Sequence, residues 1–201
     1  PVIDFEKNES LKGLDYLDTI YHAIVNEHPI QLKYRSFKAR SANSFIFYPY
    51  LLKEYRNRWF VYGVRGNGRI LQNLALDRIQ SLEVLPQEHY IKNTFFDPNT
   101  FFDDLVGVTK NTGSVAEKVG FKVAAAEAPY IITKPIHRSQ QVVERLADGS
   151  VILEIEVVIN HELERVFFGY AEGIQVLYPQ TLVELIEKKL RRAVEQYEKP
   201  K

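Results

Sequence analysis

Two kinds of side-chain periodicity predict an α+β chain: a small five-stranded Sm-like or SH3-like β-barrel, then a ferredoxin-like β-α-β-β-α-β-α domain. Between residues 30 and 85, apolar and aromatic positions alternate with polar ones in five short runs separated by turn residues, which is how a small barrel is written. After residue 115 such runs alternate with stretches of three-and-four spacing, in the order of a split βαβ unit with one extra helix. A chain of 201 residues with 45% apolar content has enough material for two small cores.

The elements follow in order. Leu11, Leu14, Leu17, Ile20, Tyr21, Ile24 and Val25 share one helical face, with Ser10 as N-cap and Pro29 as the stop. Residues 1–27 are therefore expected to be an N-terminal linker helix, and residues 28–86 the barrel. Ile30, Leu32 and Tyr34 face one way along the first strand, and Gln31, Lys33 and Arg35 the other. Phe45 to Glu54 and Arg58 to Arg65 make the next two strands, joined by a tight turn at Arg56-Asn57. Gly66-Asn67-Gly68 turns the chain into a strand from Arg69 to Leu76, and a last strand runs from Ile79 to Leu85. Residues 87–114 lack regular pattern and read as a linker with one short helix at Phe101 to Val106.

Residues 115–201 form the second domain. Its strands are expected at Val119 to Ala124, Gln140 to Leu146, Val151 to Ile159 and Ile174 to Leu177, and its helices at Ala125 to Ile132, His161 to Tyr170 and Pro179 to Tyr197. Asp148-Gly149 is a hairpin turn. Val151, Leu153, Ile155 and Val157 alternate with Glu154 and Glu156, so that carboxylate pair belongs to a solvated sheet face and not to a catalytic dyad.

Charge divides the chain as well. Residues 28–80 hold ten Lys or Arg and only two carboxylates, Glu54 and Asp77, for a net charge of +8; the remainder is net −8, so the neutral total conceals a strongly basic segment. Clustered cations attract anions, and nucleic acid or a phosphorylated ligand is the natural partner. The other reading is a basic surface that serves solubility or holds the acidic domain. Without cysteine there are no disulfides, thiolate catalysis or thiolate metal sites, and a reducing cytoplasm is the expected location. No apolar run approaches the ~20 residues of a membrane helix, and the N-terminus does not read as a signal peptide. Methionine is absent even at position 1, which leads us to expect a piece of a longer chain.

Several residues are candidates for binding an anion. Arg78 ends a strand, and its planar fork of donors matches phosphate oxygens; the alternative is an ion pair with Asp77. Lys33 and Arg35 share a strand face, and Arg58 sits at a turn that can open onto it. Tyr34 and Trp59 are candidate stacking platforms, with core packing as the alternative for Trp59. His137, in Pro135-Ile136-His137-Arg138-Ser139-Gln140, is a candidate hydrogen-bonding group at the domain boundary, or else a residue that satisfies an irregular connection. The five histidines have no metal-ligand spacing, and neither a phosphate loop nor a nucleophile elbow occurs, so no cofactor, no metal and no enzymatic activity are expected.

The ordered stretches Tyr34-Arg35-Ser36, Pro49-Tyr50-Leu51-Leu52, Asn57 to Gly63 and Leu74 to Ile79 resemble the motifs of the WYL domain, whose eponymous Trp-Tyr-Leu is here Trp59-Phe60-Val61. The second domain resembles the family's C-terminal extension, through residues 135–140, Glu162-Leu163, Phe167 to Tyr170 and Val176 to Pro179. The resemblance spans residues 28 to 197. It implies a fragment of a bacterial transcription regulator lacking its helix-turn-helix domain, so that duplex DNA is bound only through that missing part. Single-stranded DNA or a nucleotide-like effector is the implied partner, with a homodimer expected and no membrane. Gln72 stands where many members carry Arg, and is included among the binding residues on that ground. The rival readings are an interaction module whose basic patch pairs with the acidic domain, and a nucleotide-processing Sm-like enzyme.

Overall fold

The computed structural model describes residue 2 and residues 12–66, 68 and 70–198. The expected N-cap Ser10, together with Leu11, Asn67 and Arg69, lies outside them. The chain divides into two compact units, residues 1–100 and 101–201.

In the first unit a short 3-10 turn, Leu14–Tyr16, leads into helix α1, Leu17–Val25. Strands β1 (Ile30–Tyr34), β2 (Asn43–Tyr55), β3 (Arg58–Arg65), β4 (Leu71–Ala75) and β5 (Ile79–Val84) follow. They form one antiparallel sheet in the order β4-β3-β2-β1-β5. Strands β4 and β5 are consecutive in the chain, separated only by the 3-10 turn Leu76–Arg78, yet they occupy opposite edges. The sheet must curl to bring those edges to a common turn, but no ladder joins them among the described residues. The expected barrel is thus an open sheet here, because the residues that would carry pairing across are spent in the 3-10 turn. Arg56 and Asn57 both have positive φ, 51° and 62°, the paired left-handed geometry of the tight hairpin turn expected between β2 and β3.

One face of this sheet buries Ile30, Leu32, Phe47, Val61, Leu74, Leu76 and Ile79 together with Ile20 and Ala23 of α1. The helix read as a linker is therefore part of the core. Gly63 is required by the packing: a Cβ there would stand 2.1 Å from the Tyr48 carbonyl oxygen and 2.6 Å from the Phe47 ring. The other face carries Tyr48, Tyr50 and Tyr62, and the segment after β5 covers it. Tyr90 packs edge-on to Tyr48 and Tyr50 and donates its hydroxyl to the Pro49 carbonyl, Phe95 stacks on Tyr50, and Phe96 lies against Tyr62. The first half of the expected linker is thus bound to the sheet. The helix expected at Phe101 to Val106 is instead a set of turns, one closed by Leu105 N–H to the Phe102 carbonyl at 3.1 Å. Gly107, with φ of 93°, follows immediately and leaves no room for a helix to propagate.

The second unit runs β6 (Glu117–Val123), α2 (Ala128–Thr133), β7 (Gln141–Arg145), β8 (Val151–Val157), α3 (His161–Gly169), β9 (Ile174–Tyr178) and α4 (Gln180–Glu198). Its antiparallel sheet has the order β7-β8-β6-β9. Val151, Leu153, Ile155 and Val157 point into the core with Phe121, Ile131, Leu163 and Phe167, while Glu154 and Glu156 point out, as their alternation requires. The N-cap of α3 is Asn160, whose side chain accepts the Leu163 N–H at 2.9 Å and donates to the carbonyls of Val106 and Thr109 at 3.0 and 2.9 Å. One side chain thus caps the helix and ties down the loop ahead of β6.

Candidate functional site

A cleft of about 300 Å³ opens beside the turn between β4 and β5, lined by Arg35, Ser36, Phe37, Asp77, Arg78 and Gln80 among others. Two backbone features place these residues together. The pairing of β1 with β5 slips by one residue between Lys33 and Tyr34. Beyond that bulge the Arg35 N–H donates to the Arg78 carbonyl at 3.1 Å, so the end of β1 is fastened to the 3-10 turn.

Arg78 is the centre of the arrangement. Its guanidinium stacks 4.4 Å from the centroid of the Phe37 ring and donates to the Tyr34 hydroxyl, which also accepts from the Ala75 backbone N–H. Burial pushes the Tyr34 phenol up, and the Arg78 charge opposes that rise. Asp77 sits between two cations: its Oδ2 is 3.4 Å from Arg58 Nε, while its Oδ1 is 4.0 Å from Arg78 Nε. The second separation is too long for a hydrogen bond. Asp77 Oδ1 and Arg78 Nε are both buried without a hydrogen-bond partner among the described residues. The cleft is thus lined by Arg35 and Arg78 together with Asp77, which Arg58 approaches from outside it, and the Arg78 Nε is unsatisfied. Such an excess of oriented donors suits an anion with several acceptor oxygens.

Tyr34, Arg35 and Arg78 are brought together, and Arg58 joins them through Asp77. Lys33 is exposed on β1, opposite Ser44 and Ser81, and does not line the cleft. Trp59 packs against the apolar core of the sheet. Gln72 lies opposite Gly63 on β4, half-buried and outside the cleft. His137 belongs to the second unit. There the Ser139 N–H at 3.2 Å and Oγ at 2.7 Å both address Nδ1, so that nitrogen is the acceptor and the ring donates to the Asp103 carbonyl. Burial holds its pKa below the ordinary value.

Other cations of the basic segment have local work. Arg65 caps the Phe45 ring at 3.9 Å and Arg56 the Tyr55 ring at 5.4 Å. Sequence reasoning missed Phe37, which is 73% exposed and is the platform beneath Arg78. The available signal was a lone large aromatic in the basic polar run Arg35 to Arg40. Among the described residues no group of His, Asp and Glu is arranged to hold a metal ion, and no helix is long and apolar enough to cross a membrane.

Residues 15–84 match the family model of the WYL domain, and residues 116–194 match that of the WCX domain. Among solved structures, the chain is similar to a CRISPR Cas-related protein with a TM-score of 0.51 at 11% identity, over 90% of this chain and 50% of that one. It also matches the proteasome accessory factor B/C (PafBC) of Arthrobacter aurescens with a TM-score of 0.37 at 16% identity, over 96% of this chain and 29% of that one. The chain thus spans half or less of the length of these structures. No curated protein matches it by sequence.

Proposed function

We propose, for a chain that belongs to the WYL-domain proteins and carries a WCX domain behind its WYL domain, that it is the effector-sensing part of a transcription regulator. The first unit, taken as an Sm-like sheet curled toward a barrel, binds a single-stranded nucleic acid or a nucleotide-type anion in the cleft at Arg35 and Arg78. The second, taken as ferredoxin-like, couples that event to the rest of the regulator and pairs two subunits. It senses the ligand and does not turn it over. The observation that carries this reading is the Arg78 guanidinium, held over the exposed Phe37 ring and beside Arg35 in the cleft. A phosphate would accept from the cleft-lining guanidinium groups of Arg35 and Arg78, and a base could lie against the exposed side of Phe37. For regulation the ligand must prefer one arrangement of the protein, typically by about 1 to 3 kcal/mol.

Anisotropy of a labelled short single-stranded DNA, titrated with the chain at several salt concentrations, tests it. If three phosphates are engaged, affinity falls roughly twentyfold between about 50 and 200 mM salt. Absence of binding at millimolar protein would contradict the reading. A second reading is favoured by the charge split alone: the +8 segment serves to hold carboxylates of the remainder, whose −8 is spread over residues 1–27 (−4), 81–114 (−3) and 115–201 (−1). It predicts no nucleic-acid binding, and subunits that separate as salt rises.

A further inference from the structure

We propose that Arg58 is a positioning residue: without touching the ligand, it draws Asp77 aside and so leaves the Arg78 guanidinium available to an anion. The inference rests on the anion cleft of the proposed function, and adds how the charge in that cleft is set. Asp77 lines the cleft and Arg58 does not. Within the 3-10 turn, Asp77 Oδ1 and Arg78 Nε stand 4.0 Å apart, both buried and both without a hydrogen-bond partner among the described residues. Buried groups of opposite charge at that range normally complete a charge-assisted hydrogen bond, and a shift of roughly 1 Å would bring these two to its usual length.

The backbone cannot close that gap. Gly13, with φ of 89°, packs so tightly on the turn that a Cβ there would stand 2.4 Å from the Leu76 carbonyl carbon and 2.7 Å from the Asp77 nitrogen. On the other side the Arg35 N–H holds the Arg78 carbonyl at 3.1 Å. Only the side chains are left to move, and each is held from elsewhere. Tyr34 and the Phe37 ring fix the Arg78 guanidinium. Arg58, at the start of β3 opposite Tyr55, draws the other Asp77 oxygen to 3.4 Å from its Nε. Asp77 thus has two cations within reach. While it lies on Arg58, Arg78 presents its charge to the cleft; closed on Arg78, it neutralises the charge that a phosphate would answer. The chain therefore carries its own competitor for the anion, and Arg58 biases the balance toward the receptive arrangement.

A double-mutant cycle tests this, read by anisotropy of the labelled single-stranded DNA at one salt concentration, with circular dichroism and unfolding temperature checked for each variant. Arg58→Ala leaves Asp77 to Arg78, and a closed arrangement in nine of ten molecules lowers affinity about tenfold. Arg58→Lys keeps a cation within reach of Asp77 and holds the loss to about threefold or less. Asp77→Asn has the native shape without the charge. It tightens binding roughly threefold, the effect of removing a unit charge about 6 Å from an anion in water. In the Asp77→Asn background, Arg58→Ala changes affinity by less than about twofold, because Arg58 acts only through the carboxylate. The same loss on Arg58→Ala in both backgrounds would make Arg58 a ligand contact. Weaker binding by Asp77→Asn alone would make Asp77 a support for Arg78 and not its competitor. Either result, or affinity indifferent to every variant, would overturn the inference while DNA binding stands. No binding by the native chain or by Asp77→Asn at millimolar protein would overturn both.

Discussion

Arg78 is shared among a phenol, an aromatic ring and a carboxylate, and that division sets its capacity for a ligand. Tyr34 and Phe37 fix the guanidinium plane, Asp77 lies just beyond hydrogen-bond reach, and Nε remains unsatisfied. An isolated ion pair with Asp77 would have consumed the charge; here Arg58 holds Asp77 more closely, at 3.4 Å. At the same scale, His137 yields a pH prediction. Burial outweighs the favourable Asp103 carbonyl and the nearby Asp103 and Asp104 charges, and Arg138 adds to the lowering. The folded imidazole therefore holds its proton more weakly than the unfolded one, whose pKa is about 6.5. The resulting stability is fully present above that value and is lost as pH falls through it toward the depressed folded value. The urea midpoint should therefore fall as pH is lowered from about 7 to 5, and His137→Gln should flatten that dependence; an unchanged slope would count against it. Arg35 and Arg78 were legible in the sequence because strand alternation and charge clustering mark them. Phe37 was not, because its role depends on the β-bulge after Lys33 and the 3-10 turn, neither of which has a period to read.

Among the elements, α1 departs furthest from its expected role. Its amphipathic pattern was plain from Leu14, Leu17, Ile20 and Ile24, but a stripe shows that a helix has a buried face and not what buries it. Ile20 and Ala23 prove to be part of the first unit's core. Ile20→Ala should therefore cost about 2 to 5 kcal/mol in chemical denaturation, the range for a buried aliphatic residue cut to Ala. A loss below about 1 kcal/mol would assign the helix to a peripheral linker. The segment after β5 was unreadable for a related reason. Tyr90, Phe95 and Phe96 follow no helical or strand spacing, since each reaches back separately to rings of β2 and β3. The five strands of the first unit and the seven elements of the second were legible from spacing and turn residues. The closure of the first sheet was not, because alternation reports which side of a strand is buried and is silent on what pairs with its edge.

For the molecule as a whole, two cores imply two folding units. Ile30, Leu32 and Phe47 close one, and Phe121, Leu153 and Leu163 the other. Residues 1–100 and 101–201, expressed separately, should each unfold cooperatively, as small single domains with their own cores do. Loss of a sigmoidal denaturation curve in either fragment would contradict this. The basic segment 28–80 was visible from composition, but composition could not distribute its ten cations among ligand, ring-capping and solvent. The first unit places Arg35 and Arg78 at one cleft, sets Arg58 on Asp77 at its edge, and directs Arg56 and Arg65 to neighbouring rings. That cleft is the central claim. Calorimetric titration of short single-stranded DNA into the chain and into its Arg35→Ala, Arg78→Ala variant, at matched salt and with unfolding temperatures checked, tests it most directly. Two charge-assisted contacts at about 1.5 to 3 kcal/mol each predict a loss of at least roughly a hundredfold. The salt slope should be shallower by about 1.4 as well. Unchanged affinity in a folded double variant would place the ligand elsewhere.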